Sequence, residues 1–356
     1  MTSPERTPIR RWRILALAAA LLLAALVEAG PATARAAEPP PVSCIADNPV
    51  EPLGPGFLLD RGRFTTIEHP DDTLETQPLG INNRGQIVGG YDTAGFVFRG
   101  FLLDRGRYTT IDVPGSSRSF ALRINNRGQI LGDYEDGRGG CHGYLLEEDR
   151  LTRIDFPGKP TQALGLNDRG QVVGGIVDLD AGRRIRGFLL DKGVYTPIDF
   201  PGALATNALD INARGQIVGL YANAVGTSNG YLRDRNGDYT PIDPPGATLT
   251  FPFGINNRGH VVGIYMDANQ VRHGFLFKDG SFTTIDHPLA ASDTLAHDLN
   301  DRGQIVGLYE RVAGQAVEGR EGASRSGSGP TRAEGIGSAL LPLTSLWTVS
   351  GAASFQ

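Results

Sequence analysis

One stretch of the chain matches the pattern around the nucleophilic serine of many hydrolases. Residues 226–230 read GTSNG, the spacing G-x-S-x-G in which a tight turn exposes a serine hydroxyl for attack on a carbonyl. That turn needs a strand before the serine and a helix after it. The residues after Gly230 have the composition of a strand, so we predict that Ser228 is not a nucleophile, and we assign no catalytic residue.

A second stretch has oxygen-bearing side chains at the spacing of a calcium loop. Residues 234–238 read DRNGD, and carboxylate and amide oxygens are the ligands that Ca²⁺ prefers. The later glycine and glutamate of such a loop are missing. The stretch also aligns with residues 60–62 and 104–106, which read DRG and have the composition of hairpin turns. We therefore favour a hairpin turn.

The six histidines do not show the spacing of a zinc site. They fall on different repeat positions: His69 with His287, His142 with His273, and His260 and His297 each alone. The sequence therefore predicts no metal and no cofactor. A metal held jointly by residues far apart in the sequence stays open.

Internal repeats dominate the chain and must position all of these residues. The sequence INNRGQIVG at residues 81–89 has five further copies, at residues 124–132, 166–174, 211–219, 255–263 and 299–307. A second unit, GFLL at residues 56–59 followed by FTTI at residues 64–67, alternates with the first and also occurs six times. The repeat domain spans residues 56–309, which leaves no room for a separate domain.

Each unit has the pattern of a β-hairpin. Two short apolar runs flank a polar turn, where Asn forms an Asx-turn and Gly adopts a positive φ. One repeat thus gives four antiparallel strands whose apolar residues need cover on both faces, as in the blades of a β-propeller. We predict an all-β fold with six blades. A parallel β-solenoid is the alternative, but its rungs do not reverse through tight hairpins.

The two ends of the repeat domain predict how the ring closes. The repeats begin with a lone second unit at Gly56 and finish with a lone first unit ending at Gly307. Residues 56–67 should therefore pair with residues 298–309 to form a composite sixth blade.

The repeated residues resemble a known family. GINNRGQIVG at residues 80–89, HGFL at residues 273–276 and TTID at residues 283–286 are similar to the HAF-repeat family of bacterial extracellular repeat proteins. The resemblance covers about 250 residues of this sequence. It implies export and a propeller-like fold, but it implies no reaction, ligand or catalytic residue.

Composition and the N-terminus indicate class and location. The 48 Gly and 23 Pro among 356 residues exclude a helical bundle, and a net charge of -5 argues against a nucleic-acid partner. Arg10, Arg11 and Arg13 precede an apolar run at residues 14–27 and a small-residue site, as in a signal peptide.

We therefore divide the chain into a signal peptide (residues 1–37), a Pro-rich linker (38–55), the propeller (56–309) and a low-complexity tail (310–356) that we expect to be disordered. The alternative for the tail is a degenerate half blade. The apolar run is short against the ~20 residues of a membrane span, so we expect a secreted or periplasmic protein without a stable span in the mature chain. The alternative at the N-terminus is an uncleaved anchor.

The two cysteines, Cys44 and Cys141, are too few for a cysteine-rich scaffold or a zinc ribbon. Export favours a disulfide between them. Cys44 lies before the first blade, however, and Cys141 enters a strand two hairpin units later. A disulfide and two free thiols both stay open.

Two charged residues recur once in every repeat. If the strands run outward from the axis, the Asn-Arg-Gly and Asp-Arg-Gly turns share one rim, and the variable loops share the other rim with the Pro-Gly linkers. The arginines are Arg84, Arg127, Arg169, Arg214, Arg258 and Arg302, and the acidic residues are Glu68, Asp112, Asp155, Asp199, Asp243 and Asp286. Both sets suit polyvalent binding, but we favour a structural role in which each arginine bonds a neighbouring blade.

Two classes of function follow. The first is a non-catalytic binding or structural propeller that presents variable loops, at residues 92–99, 135–141 and 177–186, to a glycan, a protein or a surface. The second is a propeller hydrolase or lyase with a site at the channel mouth. An enzyme should break the repeat symmetry with polar residues on several inner strands. The repeats look nearly symmetric, so the sequence favours the binding propeller.

Overall fold

The computed structural model describes residues 54–71, 75–93, 97–178, 184–223 and 227–311. Within these residues all regular elements are β-strands, and they form six four-stranded antiparallel sheets. The prediction of an all-β, six-bladed propeller is confirmed. The predicted signal peptide, most of the linker with Cys44, and the tail beyond Arg311 lie outside the described residues.

Five blades consist of consecutive strands. Blade 1 contains β3 (Thr76–Ile81), β4 (Ile87–Thr93), β5 (Val97–Asp104) and β6 (Arg107–Ile111). Blade 2 contains β7 (Ser116–Ile124), β8 (Ile130–Asp136), β9 (Cys141–Glu147) and β10 (Arg150–Ile154). Blade 3 contains β11 (Thr161–Leu166), β12 (Val172–Asp178), β13 (Arg184–Asp191) and β14 (Val194–Ile198). Blade 4 contains β15 (Ala205–Ile211), β16 (Ile217–Ala222), β17 (Ser228–Arg233) and β18 (Tyr239–Ile242). Blade 5 contains β19 (Leu249–Ile255), β20 (Val261–Met266), β21 (Arg272–Lys278) and β22 (Ser281–Ile285).

Blade 6 is the composite blade that the sequence predicted. It contains β1 (Gly56–Asp60), β2 (Arg63–Ile67), β23 (Ala290–Leu299) and β24 (Ile305–Arg311), in the order β2-β1-β24-β23. Strand β1 pairs antiparallel with β24 over four residues, from Gly56 opposite Leu308 to Leu59 opposite Ile305. The first and last repeat units therefore close the ring.

Large side chains between the blades form the core. The residue after the glycine of each third strand is fully buried: Phe57, Phe101, Tyr144, Phe188, Tyr231 and Phe275. Burial of one such side chain stabilises a fold by about 1.5 to 3 kcal/mol. The glycine of each second strand lies close to the first strand of the same blade, and a Cβ on Gly89 would overlap the carbonyl oxygen of Gln77. The glycine of the repeat motif is therefore required by strand packing.

Candidate functional site

The strand order gives the propeller two different faces. The first strands of neighbouring blades contact one another around the axis, and each blade runs outward from its first strand. The Asn-Arg-Gly turns after the first strands and the turns after the third strands therefore lie together, on what we call the NRG face. The loops after the second strands and the linkers between blades lie on the opposite side, which we call the loop face. This arrangement is the one that the sequence predicted.

A ring of six asparagines joins the blades on the NRG face. Asn82 Nδ2 donates to the carbonyl oxygen of Asn125 in the next blade at 3.2 Å. The same bond follows in every blade, and the ring closes where Asn300 donates to Asn82 at 3.0 Å. Each side chain is buried, and the remaining members are Asn125, Asn167, Asn212 and Asn256.

Each of these asparagines also shapes its own turn. Asn82 Oδ1 accepts hydrogen bonds from the main-chain N–H groups of Arg84 and Gln86, at 3.0 and 3.1 Å. Gly85 then adopts a φ of 81° that favours glycine. Asp234 Oδ1 accepts the same pair of bonds from Asn236 and Asp238, so residues 234–238 form the hairpin turn that the sequence favoured over a calcium loop.

The arginines of the same turns have a different role from the one we expected. All six are exposed. Arg84 donates to the Asn126 carbonyl of the next blade, and Arg127 lies 3.7 Å from the Glu147 carboxylate of its own blade. Of the six turn arginines, four have no side-chain hydrogen bond or ion pair to the described residues: Arg169, Arg214, Arg258 and Arg302. The asparagines, and only one of these arginines, bond the neighbouring blade.

The inner strands break the repeat symmetry at one position. Two residues before each ring asparagine, glycines alternate with charged residues around the axis: Gly80, Arg123, Gly165, Asp210, Gly254 and Asp298. Our expectation of nearly symmetric inner strands was therefore wrong. Comparing this one position in all six repeats of the sequence would have revealed the alternation. In the fold, each glycine makes room for the charged residue of a neighbouring blade. A Cβ on Gly165, for example, would clash with Asp210.

Arg123 lies across the axis and holds three blades together. Its guanidinium donates to the carbonyl oxygens of Leu79 at 2.9 Å and Phe253 at 2.8 Å. Its Nε lies 3.7 Å from Asp210 Oδ1. Asp210 Oδ2 in turn accepts the main-chain N–H of Ile255 at 2.8 Å. The cluster is therefore fixed by bonds to neighbouring strands.

The buried carboxylates of this cluster have raised pKa values. Burial raises the pKa of Asp210 to about 7 although the Arg123 guanidinium acts against the shift. Burial also raises the pKa of Asp298, which accepts the Ile81 N–H at 2.8 Å. The nearby imidazole of His297 shifts in the opposite direction, since burial and Arg123 lower its pKa to about 3. The cluster can hold a proton near neutral pH.

Little free space remains along the axis. Arg123, Asp210 and Asp298 line a cavity of about 60 Å³ that also contacts Asp168 and Asp301 of the Asn-Arg-Gly turns. A water molecule needs roughly 10 to 15 Å³ of such space, so this cavity has room for a few waters and is too small for a sugar ring. Apolar side chains, with Leu79, Leu122 and Phe253 among them, fill the core next to it.

On the loop face, most of the repeated acidic residues are paired with an arginine or a histidine. Arg99 lies 3.6 Å from Asp112 and Arg311 lies 3.5 Å from Glu68. The other pairs are Arg186 with Asp199, His142 with Asp155, and His273 with Asp286. Arg99, Arg186 and Arg311 are therefore paired with carboxylates of the protein itself.

Four histidines occupy two pairs of equivalent repeat positions, and each makes contacts with the protein itself. His142 lies between two carboxylates, with Asp136 and Asp155 each 3.2 Å from a ring nitrogen, and His273 lies between Asp267 and Asp286 in the same way. His69 and His287 stack on tyrosine rings, and burial lowers the pKa of His287 to about 4. Among the described residues, no group of three or more His, Cys, Asp and Glu could hold a metal ion.

A groove of about 420 Å³ opens on the loop face between blades 2 and 3. Its lining combines polar side chains with an apolar wall: His142, Arg153, Asp155 and Lys159, with Phe156, Pro157 and Pro160. Cys141 lies at its edge and is disulfide-bonded. Cys44, the other cysteine of the chain, lies outside the described residues.

The hydrolase-like pattern is part of a strand. Ser228 begins β17 and pairs with Ala222 of β16, so a strand follows it as predicted, where the hydrolase turn requires a helix. No helix among the described residues is long and apolar enough to cross a membrane.

Comparisons with known proteins agree on the fold. No known protein family matches the sequence, and no curated protein is detectably similar to it. A protein described as a TolB from Agrobacterium tumefaciens is 12% identical, with a TM-score of 0.55 over 72% of this chain and 98% of its own. TolB from Acinetobacter baumannii is 15% identical, with a TM-score of 0.49 over 72% of this chain and 64% of its own.

A six-bladed fungal lectin from Aleuria aurantia, described with a fucose recognition mode, is 13% identical. Its TM-score is 0.41 over 63% of this chain and 83% of its own. Identities this low relate folds and not activities. The chain is therefore similar in fold to the TolB protein of Agrobacterium tumefaciens.

Proposed function

We propose that this chain is an exported, non-catalytic binding propeller whose ligand site lies on the loop face, in the groove between blades 2 and 3. The observation that carries the proposal is the groove itself. It is far larger than the axial cavity, and it lies where the loops differ between blades. Binding specificity generally depends on variable loops held by a rigid scaffold.

The side chains of the groove favour a glycan among the ligand classes that the sequence left open. Phe156, Pro157 and Pro160 give an apolar wall on which one face of a sugar ring can pack. Arg153 pairs with Asp155, and Asp155 also contacts His142. Such paired groups offer both donors and acceptors to sugar hydroxyls without leaving a buried charge unpaired.

Export is supported by the N-terminal sequence and by the disulfide at Cys141. Disulfides persist in oxidising compartments and are rare in the cytosol. The HAF-repeat resemblance agrees with this location. A hydrolase or lyase at the channel mouth stays the alternative, but the axial cavity gives it no room for a sugar.

Glycan-array binding with matched variants tests the proposal. We expect Arg153→Ala and Phe156→Ala each to weaken binding at least tenfold, because each removes one wall of the groove. Two control variants make similar changes elsewhere on the loop face: Arg186→Ala removes another arginine paired with an aspartate, and Phe200→Ala another linker aromatic. Equal losses in the controls, or no glycan bound by the parent, would overturn the proposed site.

A further inference from the structure

Four exposed arginines form an arc on the NRG face. Arg169, Arg214, Arg258 and Arg302 occupy consecutive blades, from blade 3 to blade 6. Their main-chain N–H groups bond the ring asparagines at 3.0 Å, but in the described chain their side chains bond nothing. The turn therefore uses the backbone of this residue and leaves the guanidinium free.

Among the described residues, no carboxylate forms an ion pair with the four arginines of this arc. The carboxylates of the outer turns accept hydrogen bonds from glutamine side chains: Gln86 to Asp104, Gln129 to Glu147, Gln171 to Asp191 and Gln304 to Asp60. Asp168 and Asp301 line the axial cavity, where asparagine N–H groups hold them at 2.7 Å. In blade 5, Lys278 takes the place of the outer carboxylate and His260 that of the glutamine.

We propose that this arc is a second binding surface, for a linear acidic polysaccharide with a carboxylate on each sugar unit. A guanidinium binds a carboxylate through two parallel hydrogen bonds. One guanidinium per blade, on a turn fixed by the asparagine ring, presents the same group repeatedly, so several weak contacts add to one strong attachment. The surface lies opposite the loop face, so the two sites can be occupied together.

The composition of the face favours a glycan over other polyanions. Nucleic acid is generally held by stacking of bases on aromatic rings as well as by charge, and none of the exposed large apolar residues of the described chain is aromatic. Stable attachment to a bilayer generally needs an apolar segment or a lipid chain beside the charges. The exposed Val194 and Leu151 lie on the outermost strands of blades 3 and 2, and the exposed Leu204 and Leu289 lie in linkers of the loop face.

Binding of polygalacturonate to the full chain, measured by calorimetry at several salt concentrations, tests this proposal. We expect Arg214→Gln with Arg258→Gln to weaken binding at least tenfold and to reduce the slope of log affinity against log salt, because fewer ion contacts form. The matched control is Arg61→Gln with Arg105→Gln, which removes the same charge from the same face where the side chains are 94% and 95% exposed. The control should change affinity less than about twofold, as expected of charges outside the contact.

Each other outcome overturns the proposal. Equal losses in both double variants would mean that only net charge matters. Equal or tighter binding of single-stranded DNA or phosphatidylserine vesicles would assign the arc to a different polyanion. If the parent protein does not bind polygalacturonate, the arginines do not have the proposed role. The same follows if Arg214→Gln with Arg258→Gln lowers the melting temperature, because the arginines would then be needed for stability. Arg153→Ala should not affect this binding, which separates the test from that of the glycan groove.

Discussion

The two faces of the propeller use charge in opposite ways. On the loop face, sequence varies between blades and the arginines are paired with carboxylates, as in Arg99 with Asp112. On the NRG face, the turns hardly vary and most of the arginines face solvent alone. Repetition therefore does not distinguish packing from binding. The contacts of each side chain do, and they assign packing to asparagine and an open surface to arginine.

Both faces depend on the closed ring, so opening it should have the largest effect. Deleting residues 51–70 removes β1 and β2, with the buried Phe57 and Ile67, and exposes the edge of β24. The lost burial rivals the roughly 5 to 15 kcal/mol of a whole domain, so we expect an aggregation-prone protein. Thermal melting and size-exclusion chromatography measure this. A variant that stays monomeric and melts within about two degrees of the parent would contradict it.

The asparagine ring should be far more important for stability than the arginines beside it. Asn212→Ala leaves the main-chain N–H groups of Arg214 and Gln216 without their acceptor. It also removes the bond to the Asn256 carbonyl of the next blade, which keeps only the bond from the Gly259 N–H. At about 1 to 3 kcal/mol for each unsatisfied group, the two N–H groups alone should cost at least about 2 kcal/mol. Urea unfolding of Asn212→Ala beside Arg214→Ala measures the difference. Similar losses in the two variants would mean that packing is not the task of the asparagine alone within these turns.

The axial cluster between the faces should make stability depend on pH. Because the folded pKa of Asp210 is about 7 and its ordinary value is 3.8, the folded state binds this proton more tightly. Stability from this group is present at low pH and is lost as the pH rises from about 4 to 7. His297 and His287 act in the opposite direction, since their low folded pKa values cost stability below about pH 6.5.

Comparing the parent with Asp210→Asn removes the Asp210 carboxylate, while both proteins keep the contribution of the two histidines. We expect the variant to gain stability relative to the parent between pH 5 and pH 8, by up to a few kcal/mol. Melting temperatures at these two values measure the gain. A constant difference across the range would show that Asp210 titrates normally.

The smallest effect should come from the arginines themselves. Arg127 pairs with Glu147 at 3.7 Å with both side chains more than half exposed, and such pairs contribute at most about 1 kcal/mol. We expect Arg127→Ala with Arg214→Ala to lower the melting temperature by less than about three degrees. A clearly larger drop in the melting temperature would contradict this expectation and would support the structural role that the sequence suggested for these arginines.

The sequence predicted the blades, the composite blade and the two rims, because each depends only on alternating hairpins and their order. It did not distinguish Asn82 from Arg84, since both recur in every copy and only the folded turn shows which side chain points inward. The charged residues on the axis were present in the sequence but were overlooked. Arg123 and Asp210 lie in different repeats, and their contact follows only from ring closure.

The asparagine ring has a rotational sense. Every side-chain amide donates forward to the next blade, from Asn82 through Asn300 and back to Asn82, so the six dipoles follow one another head to tail around a circle. Hydrogen bonds in such chains polarise and strengthen one another. A break at any one link should therefore weaken the bonds on both sides of it, and the six blades should lose their alignment together, as one circular unit.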